Sequence, residues 1–250
     1  MYLCTIIRQL KCSGYEQTFD RLLFSEDGEL HDEFSSLYNS LYKNASNLIK
    51  IVTSLATKGK GLTRQEIIER TKLADNGRFS LMLVELESCG FIRCYEPYVS
   101  ETTRRRRICI GKTKNTDTLY QLVESFTLFY FQVMRKADAY DANYWSNNQN
   151  THLYSAWSDL SFEMLCLNHV DQIKSALGIS GISANVFSWA GKGYDCSAQI
   201  DMLIDRADRT INLCEMKFHN KPYTMTKNDE EDIERKVSSF KEATNYFKRV

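Results

Sequence analysis

The feature that most constrains this sequence is a pair of alternating apolar runs on either side of one polar turn. Gln199-Ile-Asp-Met-Leu-Ile-Asp205 and Thr210-Ile-Asn-Leu-Cys-Glu-Met-Lys217 repeat with a period of two, and Arg206-Ala-Asp-Arg209 between them supplies turn residues. Side chains alternate faces along a strand, so Ile211, Leu213, Glu215 and Lys217 are expected on one face and Cys214 and Met216 on the other. With the turn centred near residues 207–208, Asp201 falls beside the Glu215 end. Two carboxylates at the ends of paired strands make a hard oxygen site suited to magnesium. Such an ion polarises a phosphodiester and lowers the pKa of its bound water. Lys217 is expected to point into the same site, to orient the water or neutralise developing charge. The competing reading is a salt bridge from Lys217 to Glu215 or Asp201 on a partly exposed sheet face.

The segment before the hairpin adds to this. Residues 153–177 read as one long helix, in which Leu153, Trp157, Leu160, Leu167, Val170 and Leu177 mark the buried face. Glu163 lies on that stripe, and an acid on an apolar face is costly unless a metal, a lysine or a backbone donor compensates. Residues 182–189 read as a further strand. Asp201, then Glu215-x-Lys217, on strands that follow a helix with an inward Glu163, match the PD-(D/E)xK pattern of restriction-endonuclease-like nucleases. The expected catalytic set is Glu163, Asp201, Glu215 and Lys217, with Asp201 and Glu215 as the metal ligands.

The first half of the chain has a different grammar. Residues 1–46 are helical in pattern, with Leu30, Phe34, Leu37 and Leu41 in one stripe. A helix from about residue 45 to 57 follows. Thr63-Arg-Gln-Glu66 is a capping box that starts a second helix. A third helix carries Leu81, Leu83, Val84 and Leu86 and stops at Gly90, and strand-like runs lie at 91–95 and 120–123. Three short helices and a hairpin are the order of a winged helix-turn-helix. Arg104, Arg105, Arg106, Arg107 and Lys112, with Lys114, fall in the wing, where cations could meet phosphates, and Arg64, Arg70 and Arg78 lie near the helices. The same arginines also suit a solvated loop, and the module also suits protein docking. Gly111-Lys112-Thr113 resembles the end of a phosphate-binding loop, but Arg106 stands where its first glycine is required, so no ATP site is expected in this chain. Residues 125–150 are rich in aromatics, among them Phe126, Phe129, Tyr130, Phe131, Tyr140, Tyr144 and Trp145. They suit a connecting helix that packs domains together, or stacking platforms for bases.

Composition limits the partners. The 32 basic and 32 acidic residues cancel, so contact with nucleic acid must come from a local patch rather than a global field. No run approaches the roughly 20 apolar residues of a membrane helix, and the first residues lack the features of a secretory leader. The eight cysteines form no Cys-x-x-Cys pair. They read as reduced thiols of a cytoplasmic protein, not as a disulfide framework or a zinc site.

Several ordered segments resemble a known family. FSEDGELHDEF at 24–34, GLTRQEI at 61–67, LESCGFI at 86–92, YQLV at 120–123, FTLFY at 126–130, QIDMLIDRAD at 199–208 and INLCEMKF at 211–218 are similar to the C-terminal half of archaeal-type AAA+ ATPases of archaea and Bacteroides-like bacteria. The resemblance implies an α+β or α/β chain, a winged helix followed by a restriction-endonuclease-like core that lacks its last strand. It divides the chain into a helical remnant of the ATPase lid (1–46), the winged helix (47–124), an aromatic connecting helix (125–150) and the nuclease-like domain (151–250). It implies a magnesium-dependent deoxyribonuclease whose ATPase domain lies outside this polypeptide. The alternative is a non-catalytic DNA- or protein-binding module on a degenerate nuclease fold. The unpaired edge left by the absent strand is expected either to pair with a second copy of the chain or to leave the chain's last residues poorly ordered.

Overall fold

The structure is a computed structural model that describes residues 15–41, 45–59, 61–95, 118–137, 141–192, 197–219 and 221–244. It is mixed α+β, with two three-stranded antiparallel sheets. The chain divides into two compact units, one formed by residues up to Arg93 with Tyr120–Leu160, the other by Cys94–Leu119 with Ser161 onward. No helix of the described residues is long and apolar enough to cross a membrane.

In the first unit, α1 (Tyr15–Phe19) runs into a π-helical turn, Asp20–Phe24, and α2 (Glu33–Leu41) follows. The next helix, α3 (Ala45–Leu55), buries Leu48, Ile51, Val52 and Leu55, spaced by three, one and three. A glycine is needed before the next strand. Gly61 has φ +83°, and a Cβ there would meet the Tyr120 carbonyl oxygen at 2.3 Å. A short strand that apolar periodicity did not reveal, β1 (Leu62–Thr63), leads into α4 (Arg64–Thr71). The capping box forms as expected. The Thr63 hydroxyl accepts from the Glu66 N–H at 3.2 Å, and the Glu66 carboxylate accepts from the Thr63 N–H at 2.7 Å.

Asn76 caps α5 (Gly77–Ser88) through the Phe79 N–H at 3.1 Å. This helix buries Phe79, Leu83 and Leu86 and leaves Leu81 and Val84 exposed. Gly90, at φ +76°, turns the chain out of the helix. The strands β2 (Ile92–Tyr95) and β3 (Leu119–Leu122) complete a sheet in the order β1-β3-β2. Buried Gln121 bridges its neighbours, donating to the Gly59 carbonyl at 2.5 Å and accepting from Arg93 Nε at 2.7 Å.

The aromatic segment packs inside this unit. Glu124 caps α6 (Ser125–Gln132), accepting from the Phe126 and Thr127 N–H groups at 2.9 and 2.6 Å. Phe129 and Trp145, the latter on α7 (Tyr144–Asn147), join Leu22, Leu23, Phe24, Leu30 and Val133 in one core. The Phe129 ring meets Phe19, Phe24, Trp145 and Trp157 edge-on. Tyr130 stacks on Phe34 at 3.9 Å. Phe129, Phe131 and Trp145 are therefore core residues and offer no platform to a base. Tyr140 lies outside the described residues. Buried Asp20 braces the arrangement, accepting from the Trp145 N–H at 2.8 Å, the Ser146 N–H at 3.1 Å and the Ser146 hydroxyl.

The helix expected across 153–177 is two helices, α8 (His152–Asn168) and α9 (Val170–Ala176). His169 breaks the run at φ −121°, ψ 32°, and its Nδ1–H donates to the Leu165 carbonyl at 2.7 Å. After this break Leu177 is exposed rather than buried, and Met164 is the buried apolar residue near the middle of α8. Three antiparallel strands follow, β4 (Ala184–Lys192), β5 (Ser197–Arg206) and β6 (Ile211–Cys214), in the order β4-β5-β6. The β5–β6 turn forms where the polar residues placed it, with Arg209 left-handed at φ 63°.

A bulge interrupts the β4–β5 ladder. Phe187 pairs with Leu203 but Trp189 pairs with Ile200, so β5 carries one extra residue across this step. The bulge changes which side chains share a face. Ala198, Ile200 and Leu203 join Trp189, Ile211 and Phe240, whereas Met202 and Ile204 join Ile179 and, from α8 and α9, Leu167, Val170 and Ile173. The first of these faces is covered by α10 (Lys227–Thr244), whose buried Phe240 meets Trp189 edge-on at 5.3 Å. Ile233 and Val237 are half-buried on the same helix, and Phe247 lies outside the described residues.

Candidate functional site

The site is built on the open end of the β5–β6 ladder. The pairs run Asp205↔Ile211, Ile204↔Asn212, Leu203↔Leu213 and Met202↔Cys214, and Asp201 and Glu215 are the next residue on each side, just beyond the last pair. Asp201 stands in the bulge, between Ile200 of one face and Met202 of the other. Its Oδ2 accepts from the Met216 N–H at 2.9 Å. The carboxylate thus takes a backbone donor just where the ladder ends, and ties the chain after β6 to β5.

Glu215 is half-buried and accepts from Lys236 Nζ on α10 at 2.6 Å. Lys236 also reaches Asp232, one turn earlier on its own helix, at 3.3 Å. Burial pushes the Glu215 carboxyl above the usual glutamate range. The Lys236 hydrogen bond pulls it back, and the negative charge of Asp201 pushes it up again.

Lys217 gives its hydrogen bond elsewhere, although the Glu215 charge still reaches it. Its ammonium lies 2.6 Å from Asp229 Oδ1 near the start of α10. Asp229 also accepts from the Thr226 N–H at 2.9 Å, the Thr226 hydroxyl at 2.5 Å and the Tyr223 hydroxyl. The Thr226 hydroxyl in turn accepts from the Asp229 N–H at 3.3 Å, the reciprocal pattern of a capping box. Lys217 therefore braces the first turn of α10. Its hydrogen bond to Asp229 raises its own pKa, and with the Thr226 and Tyr223 donors holds Asp229 well below the usual carboxylate range. The alternation that put Lys217 on the Glu215 face assumed a strand through residue 217, but β6 ends at Cys214.

Glu163 is half-buried on α8, one turn before Cys166. Burial raises the Cys166 thiol, and the negative charges of Asp201 and Glu163 raise it further. The Cys214 thiol is pushed up to about 11 by burial, then by Asp201 and Cys166. Asp201 thus belongs to two neighbourhoods, Glu215 with Lys236 and Cys166 with Cys214. Glu163 acts on the second. Both cysteines are free thiols.

Among the described residues no three His, Cys, Asp or Glu side chains gather as a group that could hold a metal ion. Asp201 and Glu215 alone still suit magnesium. That ion takes hard oxygen donors, and commonly one or two carboxylates with water and substrate phosphate oxygens in the remaining places.

Arg104, Arg105, Arg106, Arg107 and Lys112 lie outside the described residues. Arg78 is exposed on α5. Arg64 is engaged locally, bonded to Asp75 at 2.6 Å and over the Phe79 ring at 4.7 Å, and Arg70 bonds the Thr57 hydroxyl. Lys236, Asp232 and Asp229 were not singled out from the sequence. The signal for Lys236 was present, because a lysine at the spacing of Ile233, Val237 and Phe240 sits on an apolar stripe just as Glu163 does. No family model, no curated protein and no solved structure matches this chain.

Proposed function

We propose that the second unit is a magnesium-dependent nuclease-type site acting on DNA, with Asp201 and Glu215 as the metal-holding carboxylates. The observation that carries this reading is that Asp201 and Glu215 both lie one residue beyond the last pair of the β5–β6 ladder, Met202↔Cys214, where the negative charge of Asp201 acts on Glu215. The order α8–α9, three antiparallel strands and α10 is compatible with the restriction-endonuclease-like core that the sequence resemblance implies. In the first unit, α3, α4 and α5 with a sheet ordered β1-β3-β2 support a winged helix that would dock the DNA. The AAA+ ATPase domain of the resembled family would be its covalent partner.

Magnesium would polarise the phosphodiester and activate water for attack. The protein groups would do the positioning. Asp201 is fixed through the Met216 N–H, and Glu215 is aimed by Lys236. Glu163 would contribute negative charge from the α8 side. The test is cleavage of labelled single- and double-stranded DNA with magnesium or with chelator. Cleavage that needs the metal and disappears in Asp201→Asn and Glu215→Gln is expected. Cleavage that survives both substitutions would remove the site from the chemistry.

A second reading, a DNA- or protein-binding module that does not cut, is favoured by two observations. Glu215 and Asp229 each already have a lysine partner. The exposed face of α5 also carries Leu81, Val84, Glu85 and Glu87 beside Arg78, where a helix that reads DNA would carry more cations. Magnesium-independent DNA binding without cleavage would decide for it. In either case β6, an edge strand among the described residues, is where a second copy would pair, and light scattering against concentration tests that.

A further inference from the structure

Resting on the nuclease reading of the carboxylate pair, we propose that Lys236 of α10, not Lys217, is the cationic residue of this site: it aims Glu215 and, with DNA bound, meets the charge that develops on the scissile phosphate. Lys236 Nζ lies 2.6 Å from Glu215 Oε1 and 3.3 Å from Asp232 Oδ2, and its side chain is only 15% exposed. It stands on the inward side of α10, three residues after Ile233 and four before Phe240, which is anchored against Trp189. Drawing a lysine ammonium out of water is costly unless charged partners offset it, so a lysine held there is unlike the exposed cations of the same helix.

Lys217 is committed elsewhere. Its side chain is 42% exposed and bonds Asp229, which is held in the capping interaction with Thr226 and by Tyr223. To reach Glu215 it would have to leave the first turn of α10. Charge points the same way. Asp201 and Asp232 add two negative charges beside Glu215, against Lys236 bonded to it and Lys217, which feels the Glu215 charge without bonding it. That surplus of negative charge complements a divalent cation. An ammonium has three donors. Glu215 and Asp232 take two of them in this arrangement.

The test compares Lys236→Gln, Lys236→Arg and Lys217→Gln with the wild-type chain in three readouts, namely thermal unfolding, magnesium affinity by calorimetry, and DNA cleavage. Lys236→Gln is expected to lower kcat by about 10²–10³, the usual loss on removing one preorganised electrostatic group. KM should stay near the wild-type value. Magnesium affinity should be unchanged or tighter, because a positive charge beside the metal position is gone. Lys236→Arg keeps the charge but not the ammonium geometry, and should fall between the two, about tenfold below wild type. Lys217→Gln should leave kcat within a few-fold. If Lys236→Gln fails to fold, Lys236→Arg decides, and wild-type kcat in that variant would overturn the proposal. So would a larger loss of kcat in Lys217→Gln than in the Lys236 variants. Cleavage that needs Asp201 and Glu215 but not Lys236 sinks this inference alone. A wild-type chain that neither binds magnesium nor cuts sinks the nuclease reading and this inference with it.

Discussion

Asp20 in the first unit and Glu215 in the second are both carboxylates withdrawn from water, yet they are satisfied in opposite ways. Asp20 takes two backbone N–H groups and a hydroxyl, all from Trp145 and Ser146. Those donors are fixed by the fold, and the carboxylate holds two chain segments together. Glu215 lies within electrostatic reach of a second carboxylate, Asp201, and is balanced by a lysine on a covering helix. Its donor is a mobile side chain and not the backbone. A carboxylate saturated by backbone acts as a brace, while a carboxylate pair balanced by a side-chain cation can do chemistry.

The largest effect should fall on the brace. Asp20→Ala leaves the Trp145 and Ser146 N–H groups without an acceptor and should cost about 3 kcal/mol in denaturant unfolding. A loss within experimental error would break the comparison. Asp201→Asn should behave differently. Its amide oxygen can still accept from the Met216 N–H, so stability should move by less than about 1 kcal/mol while magnesium binding is lost. A large loss of stability there would make Asp201 a brace as well. Thr63→Ala removes one side of the α4 capping box and should cost about 1 kcal/mol. It should leave magnesium binding untouched, which separates scaffold from site.

The smallest effects are in titration, and their signs oppose each other. Asp229 is depressed, so the stability it contributes is present above the ordinary aspartate pKa and is lost only as pH falls below that range. Glu215 is raised by burial. Its ionised form is the strained one, and that penalty is relieved as pH falls through a value above the ordinary glutamate pKa. Carbon-detected NMR of the two carboxyl groups should give midpoints displaced to opposite sides of normal. Lys217→Gln should move the Asp229 midpoint upward and leave Glu215 almost unmoved. Equal shifts at both would mean that the two ion pairs are one network.

How much of this was legible depends on how local the cause was. The Thr63–Glu66 box, the stop at Gly90 and the turn at 206–209 are set by residues a few positions apart, and each forms where the sequence indicated. That Asp201 and Glu215 lie near the same end of the hairpin also followed from counting outward from that turn. The side of the sheet that Lys217 serves did not, because strand alternation was carried past Cys214, where β6 ends and the chain turns toward α10. The bulge at Asp201 was equally hidden, since nothing in Ile200-Asp201-Met202 marks a residue that lacks its own partner on β4. The role of Asp20 needed tertiary knowledge, as its donors lie more than a hundred residues away. Lys236 shows in the sequence the same sign as Glu163, a charged residue on an apolar helical stripe, here that of Ile233, Val237 and Phe240.

The central claim is that Asp201 and Glu215 together hold a divalent cation. Crystals of the chain soaked in manganese, measured at the manganese edge, test it most directly. The account predicts an anomalous peak between the two carboxylates, with Lys236 still bonded to Glu215, and loss of that peak in Glu215→Gln. Crystals that diffract well and show no peak there at saturating manganese would contradict it.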